Sequence, residues 1–439
     1  MAMEKDFKNK KIGIWGFGVV RKSAMSFLYG QGAKLSILDK RPLDPFEKKL
    51  LDTHTISSVG QEFLPSFLEM NDYILPSPGI DLSAYSLYAH KWITELDLFF
   101  SFYKKPVIAI TGSIGKTTTV HVITHLLNAL GKKTIACGNI GTGMLDAIAQ
   151  QDQYDYCVLE LSSFQLEYAR LCKPHIALIT NIFPNHLDRH QDFNEYVAIK
   201  SKIASQQDEN DALIAPLELA PLLMPLSTYQ TKKWIVSCPE EKEDRIMALS
   251  DIDVQKPRGW ELIVSVFQHL SLPTDDLETH LSSLSSLEHR MEYLGCKNNI
   301  SFYNDSKATI MESTLSALDL LAQKKVSTLL PVLFLGGLSK GVNRLPFIAT
   351  LKNKVSTVFC FGAEAQQLNQ WCIKNKLQSS AHQTLEDAFK AYAKQARAGD
   401  SVLFSPGGSS YDLFKDYQER GATFKKLVHA YADFSPKNK

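Results

Sequence analysis

Short apolar runs alternate along most of the chain with segments whose apolar residues recur at helical spacing. Lys11–Trp15 is predicted as a strand, Ser23–Tyr29 as a helix and Lys34–Leu38 as a second strand. Buried strands that alternate with helices are typical of parallel sheets covered by helices. We therefore predict the α/β fold class, with a Rossmann-like first unit.

The same alternation predicts two further units. Pro106–Thr111 is a strand followed by a glycine-containing turn and a helix, and a third α/β unit begins near His289. Because 439 residues exceed what one hydrophobic core usually supports, the length predicts two or three domains. With the three α/β units, we expect domains at 1–100, 101–287 and 288–439. The periodicity between Ser205 and Gly259 is poor, and we assign no elements there.

Composition excludes several functional classes. The chain has 44% hydrophobic and 22% charged residues, and its formal net charge is +1. This balance creates no long-range field for nucleic acid or an anionic membrane, so an anionic ligand must be held by local groups. The seven cysteines form no CxxC pair, and no apolar segment approaches the ~20 residues of a membrane span. We expect a cytoplasmic monomer that acts on small molecules.

The sharpest local pattern is TGSIGKTT at 111–118, between a predicted strand and a predicted helix. Glycines let backbone amides approach phosphate oxygens, and the helix N-terminus adds partial positive charge. Lys116 supplies a full charge, and the hydroxyl of Thr117 suits Mg²⁺. The spacing departs from the strict nucleotide-binding pattern because Ile110 stands where the first glycine is expected.

Other polar residues follow predicted strands. Glu160 ends an apolar strand and suits a magnesium ligand, because Mg²⁺ prefers carboxylate and phosphate oxygens. The loop NHLDRH at 185–190 combines imidazole, carboxylate and guanidinium groups, although a histidine in such a loop is more often structural. From the sequence alone, Lys200 is predicted to be a surface lysine on a helix.

Nine motifs in one order carry a family resemblance: TGSIGKTT, GNIG, LELSSFQLE, NHLDRH, YVAIKSKI, LEHRMEYL, NDSKAT, GGLSKG and FSPGGSSYDLFKDY. The chain resembles the Mur ligases of peptidoglycan synthesis over nearly its whole length. The resemblance implies a uridine-nucleotide-binding first domain, a P-loop-type central ATPase and a Rossmann-like C-terminal domain that binds the amino acid. It also implies ATP and two Mg²⁺ ions as cofactors, and an acyl-phosphate intermediate.

The resemblance assigns roles at the nucleotide. Catalytic roles are implied for Lys116, Glu160, His186 and Lys200, and Lys200 matches a lysine that carries a carbamate. Metal ligation is implied for Thr117, Glu160, His186 and carbamylated Lys200. ATP binding is implied for Gly112, Ser113, Ile114, Gly115, Lys116, Thr117, Thr118, Arg290, Asp305 and Lys307.

It also assigns the two other substrates, UDP-N-acetylmuramoyl-L-alanine and D-glutamate. The D-glutamate contacts would be Thr309, Lys340, Ser410 and Tyr417. The muramoyl-substrate contacts would be Val19, Val20, Lys40, Arg41, Ser77, Pro78, Gly79, Asn139, Ser162 and Gln165.

The sequence departs from the family pattern in places that concern binding. Ile114 stands where the phosphate loop usually has asparagine, and Asn185 replaces a common aspartate. Lys256-Pro257-Arg258-Gly259-Trp260 replaces a histidine- and asparagine-containing stretch, which leaves adenine recognition open.

Four alternatives remain at this point. A family member that adds alanine or a diamino acid is one, although the Asp-Asn-Pro-Arg motif expected for diaminopimelate is absent. A folylpolyglutamate synthase-like ligase would share the ATPase core but not the SPGI and GSSYDLF motifs. Gly16-Phe17-Gly18 weakly suggests a Rossmann dehydrogenase, without the third fingerprint glycine. A non-catalytic nucleotide-binding regulator is the fourth.

Overall fold

The computed structural model describes residues 6–16, 21–39, 56–224, 232–236, 259–324 and 329–431. These residues contain three separate β-sheets, one of four strands and two of six. Helices connect most of the parallel strands. The α/β class with three sheet-centred units is therefore confirmed.

The first sheet is fully parallel, with the strand order β3-β2-β1-β4. Its central strand is a short apolar run whose core residues Ile12 and Ile14 are fully buried. The strands are β1 (Lys11–Trp15), β2 (Lys34–Asp39), β3 (Ile56–Val59) and β4 (Tyr73–Pro76).

The central sheet is also parallel, with the order β10-β9-β8-β5-β7-β6. Both faces are covered, because Ile108 and Ile110 enter one hydrophobic core while Val107 and Ala109 enter the core on the opposite face. The strands are β5 (Val107–Thr111), β6 (Thr134–Gly138), β7 (Tyr156–Glu160), β8 (Ile176–Ile179), β9 (Ala212–Pro216) and β10 (Lys232–Val236).

The third sheet has the order β11-β12-β16-β13-β14-β15 and is parallel apart from the hairpin of its first two strands. A cluster of aromatic side chains packs on one face, where the rings of Phe334 and Phe404 meet edge to face. The strands are β11 (Glu292–Lys297), β12 (Ile300–Asn304), β13 (Val332–Gly336), β14 (Thr357–Phe361), β15 (Ser379–His382) and β16 (Ser401–Phe404).

The α-helices of the described residues belong to the same three units. They are Arg21–Gly30, Leu64–Met70, Glu95–Phe102, Lys116–Ala129, Met144–Gln150, Ser163–Glu167, Phe193–Ser201, Ala220–Leu223, Trp260–His269, Met311–Lys324, Leu345–Thr350, Ala365–Lys374, Leu385–Ala393 and Tyr417–Tyr431.

Residues that follow strands of all three sheets line one cavity, among them Ser77 after β4, Asn139 after β6 and Lys307 after β12. Ligands of open α/β sheets bind at this end of the strands. The third unit approaches the central one closely there: a Cβ atom on Gly341, whose φ is +76°, would lie 2.9 Å from the backbone nitrogen of Asp188. A glycine is therefore required where the loop after β13 meets the loop after β8.

Candidate active site

The phosphate loop lies between β5 and the helix Lys116–Ala129. Gly112 and Gly115 have φ values of 154° and 82°, which side-chain-bearing residues rarely adopt. A Cβ atom on Gly112 would also overlap the hydroxyl of Thr180. The backbone can therefore take this path only with glycine at position 112.

Contacts from the end of β8 hold the loop. Asn181 accepts a 2.9 Å hydrogen bond from the backbone nitrogen of Ile114 and donates a 3.1 Å one to its carbonyl. The Ser113 hydroxyl donates to the carbonyl of Phe183 at 3.0 Å. Asn181 thus holds the loop through the backbone of Ile114. These contacts do not involve the side chain of Ile114, which stands where the family pattern usually has asparagine.

Two lysines converge on the loop. Lys116 Nζ donates to the carbonyls of Gly112 and Ser113 at 2.7 and 3.2 Å, and Lys200 Nζ donates to Gly112 O at 3.0 Å. Lys200 is 1% exposed. The expectation of a surface lysine is therefore wrong, because the helix Phe193–Ser201 turns this side chain into the protein. Burial, together with the charge of Lys116, lowers the pKa of Lys200 well below its usual range.

Glu160, at the end of β7, is 1% exposed. Its Oε1 accepts a 2.8 Å hydrogen bond from Asn139, whereas its Oε2 is buried without a hydrogen-bond partner among the described residues. A buried carboxylate oxygen without a donor is costly unless a cation approaches it. This oxygen fits a metal ligand, and Thr117 lines the same cavity.

His186 is in the left-handed region, with φ of 56°, and lines the same cavity. Burial, followed by the positive charge of Lys340 and other nearby cations, lowers its pKa to about 2. The imidazole is therefore neutral near pH 7 and has a lone pair for a metal ion. The neighbouring Asn185 Oδ1 is buried without a hydrogen-bond partner in the described structure.

The third unit contributes cations. Lys340 Nζ donates to Thr309 Oγ1 at 3.2 Å, and Lys307 Nζ lies 3.7 Å from the ring centroid of Tyr417. Burial lowers the pKa of each lysine to about 7, with nearby cations contributing in the same direction. Burial also raises the pKa of Asp305 to about 7.

A cavity of ≈ 140 Å³ brings these groups together. Four cationic side chains, Lys116, Arg290, Lys307 and Lys340, line it with the carboxyl groups of Glu160 and Asp305. Such an excess of buried positive charge favours a polyanion. Of the predicted nucleotide residues, Gly112, Thr118 and Lys200 are not among its lining residues, whereas these line it: Ser113, Ile114, Gly115, Lys116, Thr117, Arg290, Asp305 and Lys307.

A larger cavity of ≈ 760 Å³ opens beside the first. All three units line it. Val19, Val20, Lys40 and Arg41 lie outside the described residues. The other predicted residues for the muramoyl substrate and the amino acid all line it, namely Ser77, Pro78, Gly79, Asn139, Ser162, Gln165, Thr309, Lys340, Ser410 and Tyr417.

Sequence reasoning missed several residues of the site. Asn181 holds the phosphate loop, and Ser313 and Ser316 from the helix Met311–Lys324 line the smaller cavity. Asn181 gave the signal already used for Glu160, a polar residue at the carboxyl end of a buried apolar run. The two serines gave none, because nothing in the sequence shows which helix of the third unit faces the central one.

The fold and the site define a three-domain α/β enzyme with a cation-rich phosphate loop. Two family models match the chain, the Mur ligase middle domain over 110–273 and the Mur ligase glutamate ligase domain over 289–408. The chain belongs to the Mur ligase family.

Relatives match over nearly the full chain. The UDP-N-acetylmuramoylalanine–D-glutamate ligase of Koribacter versatilis is 32% identical, covering 98% of this chain and 99% of its own. The ligase of the same name from Streptococcus agalactiae is 32% identical, covering 95% of this chain and 96% of its own. That of Desulfotalea psychrophila is 31% identical, covering 97% of this chain and 97% of its own.

Solved structures show the same fold at low identity. MurF from Acinetobacter baumannii matches with a TM-score of 0.60 at 15% identity, covering 99% of this chain and 93% of its own. UDP-N-acetylmuramate–alanine ligase MurC of Thermotoga maritima matches with a TM-score of 0.56 at 16% identity, covering 97% of this chain and 100% of its own.

Among the described helices, none has the length and apolar character that crossing a membrane requires.

Proposed function

We propose that the protein joins D-glutamate to UDP-N-acetylmuramoyl-L-alanine at the expense of ATP, as a monomer in the cytoplasm, with small-molecule substrates alone. The observation that carries the proposal is the adjacency of the two cavities. Lys116, His186, Lys307 and Lys340 line both, so a terminal phosphate in one can meet a carboxylate in the other. The names of the full-length relatives support the choice of substrates.

The first step activates the carboxylate of the muramoyl substrate. One of its oxygens attacks the γ-phosphorus of ATP, the bond to the bridging oxygen breaks, and ADP leaves. Lys116, at the start of the helix Lys116–Ala129, stabilises the charge that develops on the phosphate oxygens, and Arg290 and Lys307 extend the positive surface from the third unit.

The second step forms the amide. The amine of D-glutamate, once deprotonated, attacks the acyl carbon, and the tetrahedral intermediate collapses with release of phosphate. A free carboxylate is a poor electrophile, whereas phosphate is a good leaving group. Lys340 and Thr309, 3.2 Å apart, are suited to pair with the side-chain carboxylate of the amino acid, with Ser410 and Tyr417 on the same cavity wall.

The residues present fit divalent metal ions. Thr117, Oε2 of Glu160 and neutral His186 offer two oxygens and a nitrogen near the phosphate loop. Mg²⁺ held there would neutralise phosphate charge. Burial lowers the pKa of Lys200 well below its usual range and so favours the uncharged amine, the form that reacts with carbon dioxide. A carbamate would replace a buried cation with an anionic ligand.

Phosphate release by the purified protein tests the proposal. MgATP and UDP-N-acetylmuramoyl-L-alanine are supplied with D-glutamate, L-glutamate, alanine or diaminopimelate, and release with D-glutamate alone is expected. Lys116→Met should lower turnover by about 10²–10³-fold. Lys133→Met, an exposed lysine beyond the far end of the same helix, is the matched control. Equal release with every amino acid, or full activity of Lys116→Met, would contradict the proposal.

A further inference from the structure

Arg189 lies three residues after His186 in the same loop, and its guanidinium contacts two other segments. Its Nε and Nη2 donate to Oε2 of Glu167 at 3.2 and 3.0 Å, and Nη2 also donates to the carbonyl of Ile80 at 3.0 Å. The side chains of the ion pair are 12% and 14% exposed. This is a largely buried pair, so its geometry is maintained more strictly than that of a surface salt bridge.

Each segment that Arg189 joins leads directly into the larger cavity. Ile80 follows Ser77–Gly79 and closes their turn with a 2.9 Å hydrogen bond from its nitrogen to Ser77 O. Glu167 ends the helix that carries Gln165. The turn around His186 is closed at the other end of the loop, because the backbone nitrogen of Arg189 donates to His186 O at 3.0 Å.

We propose that Arg189 is a positioning residue that ties the substrate loop of the first unit to the loop carrying His186. Seating of the muramoyl substrate against Ser77–Gly79 would thereby fix the distance between its carboxylate and the phosphoryl-transfer site. The proposal rests on the proposed function, since it assumes that these two loops hold the two reactants.

The geometry of these contacts favours arginine over lysine. The planar guanidinium directs separate N–H groups at a carboxylate and a carbonyl together, which a lysine ammonium on a flexible stem does not reproduce. The guanidinium also lies 5.9 Å from the ring centroid of Phe164, which lines the larger cavity. Lysine at this position would keep the positive charge but would not contact both the carboxylate of Glu167 and the carbonyl of Ile80.

Arg170 offers a matched control at the same domain junction. Its guanidinium also crosses to the first unit, donating to the carbonyl of Ala89, but its side chain is exposed and lines neither cavity. A variant there removes a cross-domain arginine contact without touching either loop.

The test compares Arg189→Lys and Arg189→Gln with Arg170→Gln in the full-length protein. Calorimetry measures binding of UDP-N-acetylmuramoyl-L-alanine alone and of a non-hydrolysable ATP analogue alone, and steady-state assays give KM and kcat. We expect both Arg189 variants to bind the muramoyl substrate more weakly and to lose about 10- to 100-fold in kcat, because small misplacements are costly. Nucleotide affinity should change less than about twofold, and Arg170→Gln should match the wild type.

Three outcomes would overturn the positioning role. The first is unchanged muramoyl affinity and kcat in Arg189→Gln, and the second is a parallel loss of nucleotide affinity, which would indicate general damage. The third is equal losses in Arg170→Gln. A wild type that binds the muramoyl substrate but releases no phosphate would contradict the proposed function, while the calorimetry still decides the role of Arg189. A wild type that binds neither ligand would overturn both.

Glu167→Gln provides a second, independent variant. If Arg189 acts through Glu167, the double variant Glu167→Gln with Arg189→Gln should lose little more kcat than Arg189→Gln alone. Multiplicative losses would show that the two residues act separately.

Discussion

Asn139 donates a 2.8 Å hydrogen bond to Oε1 of Glu160 and thereby directs Oε2 of the same carboxylate, which has no partner among the described residues. Asn139 directly follows β6 and Glu160 is the last residue of β7, and these two strands of the central sheet pair in parallel. The amide therefore fixes the orientation of the carboxylate.

Asn139→Ala should weaken magnesium binding and so raise the magnesium concentration that the enzyme requires. Groups that orient a metal ligand typically contribute about 10- to 100-fold in metal affinity or activity. We expect the magnesium concentration for half-maximal phosphate release to rise by that order, and Glu160→Gln to lose activity at every magnesium concentration. An unchanged magnesium requirement in Asn139→Ala, with only the KM for the muramoyl substrate raised, would assign Asn139 to substrate contact alone.

Nucleotide affinity should fall as pH rises above 7. Burial and the charges of Arg290 and Lys116 lower the pKa of Lys307 to about 7, with Glu160 opposing, so its positive charge is lost between about pH 6 and 8. Bound phosphates would restore the charge, so binding at pH 8 should take up protons, measurable by calorimetry in buffers of different ionisation enthalpy.

Lys307→Arg is the companion variant for this pH dependence. A guanidinium stays charged at these pH values, so the variant should bind nucleotide with a flatter pH profile. A wild-type profile that is already flat between pH 6 and 9 would contradict the lowered pKa.

Lys200 should take up labelled bicarbonate carbon. Its amine has a pKa well below the usual range and lies 3.0 Å from Gly112 O, beside the phosphate loop. We expect a carbamate signal by carbon NMR in the wild type and its loss in Lys200→Met, with turnover reduced by about 10²-fold or more. Lys202→Met is the control, because Lys202 contacts the carbonyl of Glu167 instead. A signal that persists in Lys200→Met would place the carbamate elsewhere.

Lys340→Gln should impair use of the amino acid more than use of ATP. Removing a charged hydrogen-bond donor costs about 1.5–3 kcal/mol, or roughly 10- to 100-fold in affinity. We expect the KM for D-glutamate to rise by that factor. A matching rise in the KM for ATP would indicate that Lys340 serves the phosphates.

Sequence periodicity predicted the strands whose apolar runs are bounded by turn residues. Lys11–Trp15 matches the structure, and the predicted Pro106–Thr111 differs from β5 by one residue. Ala212–Pro216 and Lys232–Val236 were missed within the unassigned stretch. β9 is buried on both faces and therefore shows no alternation, and a short run of this kind is ambiguous until its neighbours in the sheet are known.

Some residues of the candidate site could likewise be predicted from the sequence, and others could not. The phosphate loop is a local pattern, so the sequence alone indicated Lys116 and its glycines. Burial of Lys200 depends on how one helix packs against the central sheet, and the contact between Arg189 and Ile80 joins residues 109 positions apart. Spacing along the chain carries no information about such contacts.

Gly112 O accepts hydrogen bonds from both Lys116 and Lys200, so a single carbonyl aligns two side chains that come from different helices. Any residue with a Cβ atom at position 112 would overlap the hydroxyl of Thr180, so either Thr180 or the backbone that carries this carbonyl would have to move. A substitution at this one position would therefore disturb the contacts of two lysines at once, although both lysine codons remain intact.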